Sequence, residues 1–125
     1  MTKDELDAVS EKIIGAAYKV SNTLGAGFLE KVYENALAHQ LKKDGMKIEQ
    51  QRPTKVYYDD VVVGEYFADL IVAGAVIVEL KAAKRIEDIH LAQTLNYLKA
   101  TGLTLGLILN FGEPMVEIKR VVNNF

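Results

Sequence analysis

Residues 68–82 read ADLIVAGAVIVELKA, and how this stretch folds decides the architecture. Two short apolar runs rich in β-branched residues, Leu70 to Val72 and Ala75 to Leu80, are joined at Ala73-Gly74-Ala75. That pattern is the signal of a β-hairpin. Three charges interrupt it, Asp69 on the way in and Glu79 and Lys81 on the way out. Glu79 and Lys81 are two residues apart, so on a strand they share a face. A three-residue loop centred on Gly74 sets Asp69 opposite Glu79 on that face and leaves Leu70, Val72, Val76, Val78 and Leu80 on the other. A two-residue turn puts Asp69 on the apolar face instead, because a one-residue slip exchanges the two faces of a strand. The convergence of the three charges therefore depends on register.

Outward from the hairpin, the chain divides into a helical first part and a mixed second part. Residues 4 to about 24 place Leu6, Val9, Ile13, Ala16 or Ala17, Val20 and Leu24 at helical spacing. Gly25-Ala26-Gly27 breaks this helix, and a second is expected from about Phe28 to Lys43, with Leu29, Val32, Ala36 and Leu37 inward. Lys42 and Lys43 in its last turn and Gly45 beyond are stop signals. KIEQQR (47–52) alternates weakly, Pro53 interrupts it, and Thr54 to Tyr58 resumes a strand. Asp59-Asp60 is a turn, and Val61 to Phe67 leads into the hairpin. A third helix is expected from about Asp88 to Thr101, directing Ile89, Leu91, Ala92, Leu95 and Leu98 to the core and ending at Gly102. Leu103 to Asn110 reads as a buried strand and Met115 to Val122 as a more exposed one. The element order favours an α/β fold, a mixed sheet flanked by helices.

With 125 residues the chain is expected to form a single domain, residues 1–125, with a real hydrophobic core. A formal net charge of −2 argues against holding nucleic acid by bulk electrostatics, so a polyanion would need a local basic patch or bound cations. The absence of cysteine excludes disulfides, zinc–thiolate sites and thiol nucleophiles. The polar, acidic start MTKDELDAVS is unlike a signal peptide, and no apolar run has the length of a membrane span. The expectation is a cytoplasmic protein with no membrane partner.

Three groups of residues carry chemistry. Asp69 and Glu79 offer hard oxygen ligands next to the ammonium of Lys81, a set suited to Mg²⁺ and to phosphodiester hydrolysis. The plainer reading of Glu79 and Lys81 is a strand-end charge pair reaching water. Gly27-Phe28-Leu29-Glu30-Lys31-Val32-Tyr33 opens the second helix and sets Glu30 and Tyr33 on one helical face. Glu30 there also suits the helix dipole, and Tyr33 also suits a core with a polar tip. On the third helix His90, Gln93 and Tyr97 form a polar stripe that borders the strand carrying Lys81. His39 reads as a surface residue.

Asp69 followed by Glu79-Leu80-Lys81 resembles the core of the PD-(D/E)XK nuclease superfamily, and Gln93-x-x-x-Tyr97 resembles the QxxxY motif of its RecB-like members. Gly27 to Tyr33 matches the signature of the GxxExxY protein family, and IIGAAYKV, LGAGFLEKVYENAL, VIVELKA, HLAQTLNYLKATGL and LGLILNFG extend the likeness over roughly residues 5–122. Two positions depart from it: Ser21 stands where the family usually has His, and Ala26 where it has Pro. The resemblance implies a restriction-endonuclease-like α/β core and a site for Mg²⁺ or Mn²⁺ built from Asp69, Glu79, the carbonyl of Leu80 and Glu30. It also implies a catalytic role for Lys81, and substrate contacts or site support from Gln93, Tyr97 and Tyr33. The activity implied is metal-dependent hydrolysis of DNA, with a homodimer as one source of DNA affinity and Lys84, Arg85, Lys119 and Arg120 as candidate backbone contacts. A non-catalytic nucleic-acid or protein interaction module on the same fold is the rival from another class. A third reading makes the trio an internal salt bridge, which the cost of burying charges disfavours.

Overall fold

A computed structural model describes residues 1–124. Helices α1 (Lys3–Leu24) and α2 (Glu30–Lys43) precede strands β1 (Ile48–Tyr58), β2 (Val61–Val72) and β3 (Val76–Lys81). Helix α3 (Asp88–Thr101) leads to β4 (Leu105–Asn110) and β5 (Glu117–Val122). The five strands form one sheet in the order β1-β2-β3-β4-β5. Neighbours are antiparallel except β3 and β4, which run parallel and are joined through α3. The expected α/β architecture, a mixed central sheet flanked by helices, is present.

The hairpin adopts the three-residue loop. Val72 pairs with Val76, so Ala73, Gly74 and Ala75 make the connection, and the Ala75 N–H donates to the Val72 carbonyl at 3.0 Å. Ala73 and Gly74 both have positive φ, 55° and 65°. Glycine holds such a backbone without cost, whereas alanine does so only under strain.

Two cores lie on the two faces of the sheet. Leu70, Val72, Val76, Val78 and Leu80 pack with Leu105, Leu107 and Leu109 beneath α1 and α2. Ile71, Ile77 and Ile108 pack on the opposite face with Leu98 of α3. β3 and β4 are buried on both faces, apart from Lys81 at the very end, and accordingly read as nearly continuous apolar runs. Helix α3 approaches β4 closely at Gly106, where an added Cβ would lie 2.9 Å from the Thr94 methyl.

Two helical faces differ from expectation. In α2 the buried residues are Tyr33, Glu34, Leu37, Ala38 and Leu41, whereas Leu29 is 81% exposed and Val32 lies at the surface. The true stripe is rotated by about one residue, because it includes a glutamate whose carboxylate is fully bonded. In α3, Ile89 and Ala92 face outward and Thr94 takes an inward position, its hydroxyl donating to the His90 carbonyl at 3.0 Å. Pro53 does not interrupt β1, which is an edge strand where a missing N–H is tolerated. Asp59 and Asp60, at φ 50° and 62°, form the tight turn to β2 that such positive values favour.

Candidate functional site

β2 and β3 fork at the charged end of the hairpin. Their ladder ends at Leu70 opposite Val78, one step before Asp69 and Glu79. Past that point the Asp69 side chain takes over the role of a backbone acceptor, and its Oδ2 receives the Leu80 N–H at 2.9 Å. The N–H and C=O of one strand residue point to the same strand edge, so the Leu80 carbonyl looks into the fork as well. β2 also loses its strict alternation here: Tyr66 and Ala68 pack on the α3 side, Leu70 and Val72 on the other. Opposite Asp69 on β1 stands Gln51, with φ 52°, a left-handed backbone for a non-glycine residue. Such positions persist only where surrounding bonds hold them.

Those bonds are visible. The Gln51 side-chain amide donates to Asp69 Oδ1 at 3.1 Å and to Glu34 Oε1 at 2.9 Å. Glu34, buried at 4% exposure, also accepts from Gln50 at 2.8 Å and from the Lys31 ammonium at 3.0 Å. The acidic residue of α2 bonded into the site is thus Glu34, through Gln51. Glu30 lies one turn earlier on the same helical side, exposed, and makes no hydrogen bond or ion pair among the described residues.

Glu79 is 6% exposed. Its Oε1 accepts a hydrogen bond from the Tyr66 hydroxyl, and the Asp69 carboxyl stands beside it. Burial, followed by the charge of Asp69, pushes the Glu79 carboxyl up to about 8, with the Tyr66 hydrogen bond and the charge of Lys81 opposing the rise. Burial and the neighbouring Glu79 charge push the Tyr66 phenol up as well. Tyr66 stacks face to face on Tyr97 of α3, with centroids 3.5 Å apart and planes 13° from parallel. The Tyr97 phenol is raised by burial and then by Glu79 and Asp69. Lys81, half-buried, closes β3 opposite Asn110.

The structure therefore brings together Asp69, Glu79, Leu80, Lys81 and Tyr97. Gln93 is exposed one turn before Tyr97 on the same side of α3. Tyr33, expected at the substrate, is instead fully buried and stacks on Phe111 with centroids 4.7 Å apart. Its hydroxyl donates to the Gly25 carbonyl at 2.6 Å and accepts from the Phe28 N–H at 3.2 Å, so it ties down the glycine loop and has no surface left for substrate. His90 accepts from the Glu87 N–H through Nδ1 at 3.0 Å, at the start of α3. Arg120 pairs with Asp7 of α1 at 2.6 Å and lies opposite Leu107 on the α1/α2 face, away from the charged trio. Lys119, opposite Ile108, is on the same face as Glu79. Ser21 is buried and its hydroxyl accepts the Val116 N–H at 3.1 Å, a structural use for that position.

Sequence reasoning passed over Glu34, Gln51 and Tyr66. Glu34 carried one signal, its place at i+4 from Glu30. Tyr66 carried none, because it reaches Glu79 only through the broken alternation of β2. The segment after Lys81 is also held in a way the sequence hides. Asn110 is buried: its side chain accepts the Ala83 N–H and donates to the Ala83 carbonyl, both at 2.9 Å. Glu117 accepts from Asn110 at 3.2 Å and from the Ile86 N–H at 2.8 Å.

Among the described residues no three His, Asp or Glu side chains gather as a metal-binding cluster, and no helix is long and apolar enough to cross a membrane. What the fork does offer is two neighbouring carboxyls, a strand-edge carbonyl and one ammonium, all oxygen-donor or cationic chemistry. Two carboxyls forced together out of water gain from a cation between them, and Mg²⁺ sites commonly use one or two carboxylates and complete their sphere with water and phosphate oxygens. The donor set fits such an ion.

The chain has no significant match among curated proteins and none among solved structures. The family model of the PD-(D/E)XK nuclease superfamily matches residues 7–121, nearly the whole chain, and the protein belongs to that superfamily.

Proposed function

We propose that the chain is a nuclease that hydrolyses phosphodiester bonds in DNA with Mg²⁺ or Mn²⁺. The observation that carries this reading is the fork itself, where Asp69 and the buried, high-pKa Glu79 face each other beside Lys81. Asp69, Glu79 and the Leu80 carbonyl would hold the ion, with Glu30 within one helical turn of the Glu34–Gln51 link as an additional carboxylate. A bound divalent ion would neutralise phosphate charge and lower the pKa of a water molecule.

The protein's own groups divide the remaining work. Tyr66 fixes one oxygen of Glu79 and leaves the other free to turn toward Asp69. Gln51 and the Leu80 N–H each take one oxygen of Asp69, so its carboxylate cannot rotate. The Lys81 ammonium, close enough to act on the Glu79 charge, would offset the extra negative charge of a pentacovalent phosphorus and orient the attacking water. Gln93, which is exposed, and Tyr97, which stacks on Tyr66, would contact the strand being cut or support the site. Lys84, Arg85 and Lys119 supply exposed positive charge for the phosphates on either side.

The test is to incubate the pure protein with single-stranded, duplex and branched DNA in Mg²⁺, Mn²⁺ or EDTA, alongside Asp69→Ala and Lys81→Ala. Cleavage that needs the cation and vanishes in both variants is the expected result. DNA bound but left intact by every form would refute catalysis and leave a binding module on the nuclease fold.

A further inference from the structure

We infer that the β1–β2 hairpin beyond Pro53 is a dimerisation arm, which clasps the same arm of a second copy of this chain. Inside the domain this hairpin is ordinary sheet, but its outer half leaves the core. Val56, Tyr57, Tyr58, Val61, Val62 and Val63 are all exposed, Tyr58 at 70% and Val61 at 61%. Scattered apolar residues on a surface mean nothing, whereas a contiguous set in eight residues of one hairpin marks an interface. Tyr57 stands opposite Val62 and Tyr58 opposite Val61, so the two pairs lie on opposite faces of the ribbon. Only an arm clasped on both faces buries all six, roughly 600 Å² of the ~800 Å² per partner in a standard interface.

Charge selects the occupant. The arm carries Lys55 against Asp59, Asp60 and Glu65, so it has no surplus of positive charge for a polyanion. Its tip is acidic at Asp59 and Asp60, while nearer the sheet Lys55 stands opposite Glu65 and Arg52 pairs with Glu49. Between the arm and α3 lies an open groove of about 510 Å³, lined by Lys55, Val56, Tyr57, Asn96, Lys99 and Ala100, with two lysines and no acid. A two-fold axis passing near Val56 and Tyr57 sets two arms antiparallel. That symmetry brings Asp59 and Asp60 of each copy to Lys55 and Lys99 of the other, and valine and tyrosine surfaces together. An isologous contact of this kind is self-complementary and closes at two subunits. Pro53 limits how far the free edge of β1 can take up further strands, which prevents open-ended stacking.

The inference does not depend on whether the chain cleaves DNA, and its test reads assembly alone. Sedimentation equilibrium of the full chain across the micromolar range should give twice the 13.9 kDa monomer mass. Val62→Glu, at a position already exposed, should give a folded monomer by circular dichroism. Lys55→Glu and Asp59→Lys should each weaken the dimer at least tenfold, and the two combined should recover most of the loss. Because the chain has no cysteine, Tyr57→Cys should form a disulfide-linked dimer on oxidation much faster than Glu11→Cys, on the exposed side of α1. A wild-type monomer at all concentrations, a dimer that survives Val62→Glu, or equal cross-linking at the two positions would overturn the inference. So would a chain that stays monomeric while DNA protects Tyr57, which would assign the groove to nucleic acid.

Discussion

Glu79→Gln should make the cation-free protein more stable while destroying the site. The substitution keeps shape and volume, and the Tyr66 hydroxyl can still donate to the amide oxygen while the amide N–H₂ faces the Asp69 carboxyl. What it removes is a carboxyl raised from an ordinary 4.5 to about 8 by burial and by Asp69. Below pH 4.5 that carboxyl is neutral in the folded and the unfolded chain, and it costs nothing. As pH rises from 4.5 to 8 the unfolded chain ionises while the folded chain keeps its proton, so the wild type loses stability throughout this window. At 1.36 kcal/mol per unit, the loss is about 3 kcal/mol at pH 7, and it levels off above pH 8. The gain from Glu79→Gln should follow the same curve, about 3 kcal/mol at pH 7 and no more than about 1 at pH 5. Urea unfolding of both proteins in EDTA at pH 5, 7 and 8 measures it directly. A variant no more stable than wild type at pH 7, or a gain that does not change with pH, would refute the burial of an isolated carboxyl pair.

Three further outcomes follow from single contacts. Tyr66→Phe keeps the stack on Tyr97 and removes only the hydroxyl, so it should weaken Mn²⁺ binding about 10–100-fold by calorimetry with the fold intact, the usual effect of losing an outer partner of a metal ligand; unchanged affinity would remove Tyr66 from the site. Gly112→Ala places a methyl group onto the backbone of Ala83 and should destabilise by about 3 kcal/mol or more, whereas Gly106→Ala meets only the Thr94 methyl and should cost about 1; thermal unfolding of the pair makes the comparison. Gln51→Ala frees one oxygen each of Asp69 and the buried Glu34 and should cost about 1–3 kcal/mol in urea unfolding, while Lys31→Ala, whose ammonium is largely in water, should cost under about 1.

Much of this was legible from residues 68–82. Gly74 between two β-branched runs marked the hairpin but left its loop at two or three residues; the three-residue loop of the structure sets the register that brings Asp69 and Glu79 together. Helix α2 was misread at its buried stripe for a physical reason: hydrophobic periodicity counts Glu34 as a surface residue and Leu29 as a core one. Three donors on Glu34, from Lys31, Gln50 and Gln51, reverse the first assignment, but those partners lie up to 17 residues away in sequence. Tyr33 had two readings, and the stack on Phe111 with the hydroxyl on Gly25 decides for the core. Tyr66 was beyond reach, since strict alternation along β2 predicts the wrong side for it relative to Asp69.

The Asn110 and Glu117 contacts to Ala83 and Ile86 have a consequence for the time at which the site comes into being. The Asp69–Glu79 hairpin is local and can close as soon as residue 81 has left the ribosome. The far edge of β3, however, waits for β4, and the backbone leaving Lys81 is anchored by side chains 27 and 31 residues later in the chain. A nascent chain that has reached α3 therefore holds its two acids and its lysine on an unpinned strand. Only when β5 arrives does the segment behind Lys81 become fixed. Order of synthesis thus leaves the fork incomplete until nearly the whole fold is in place.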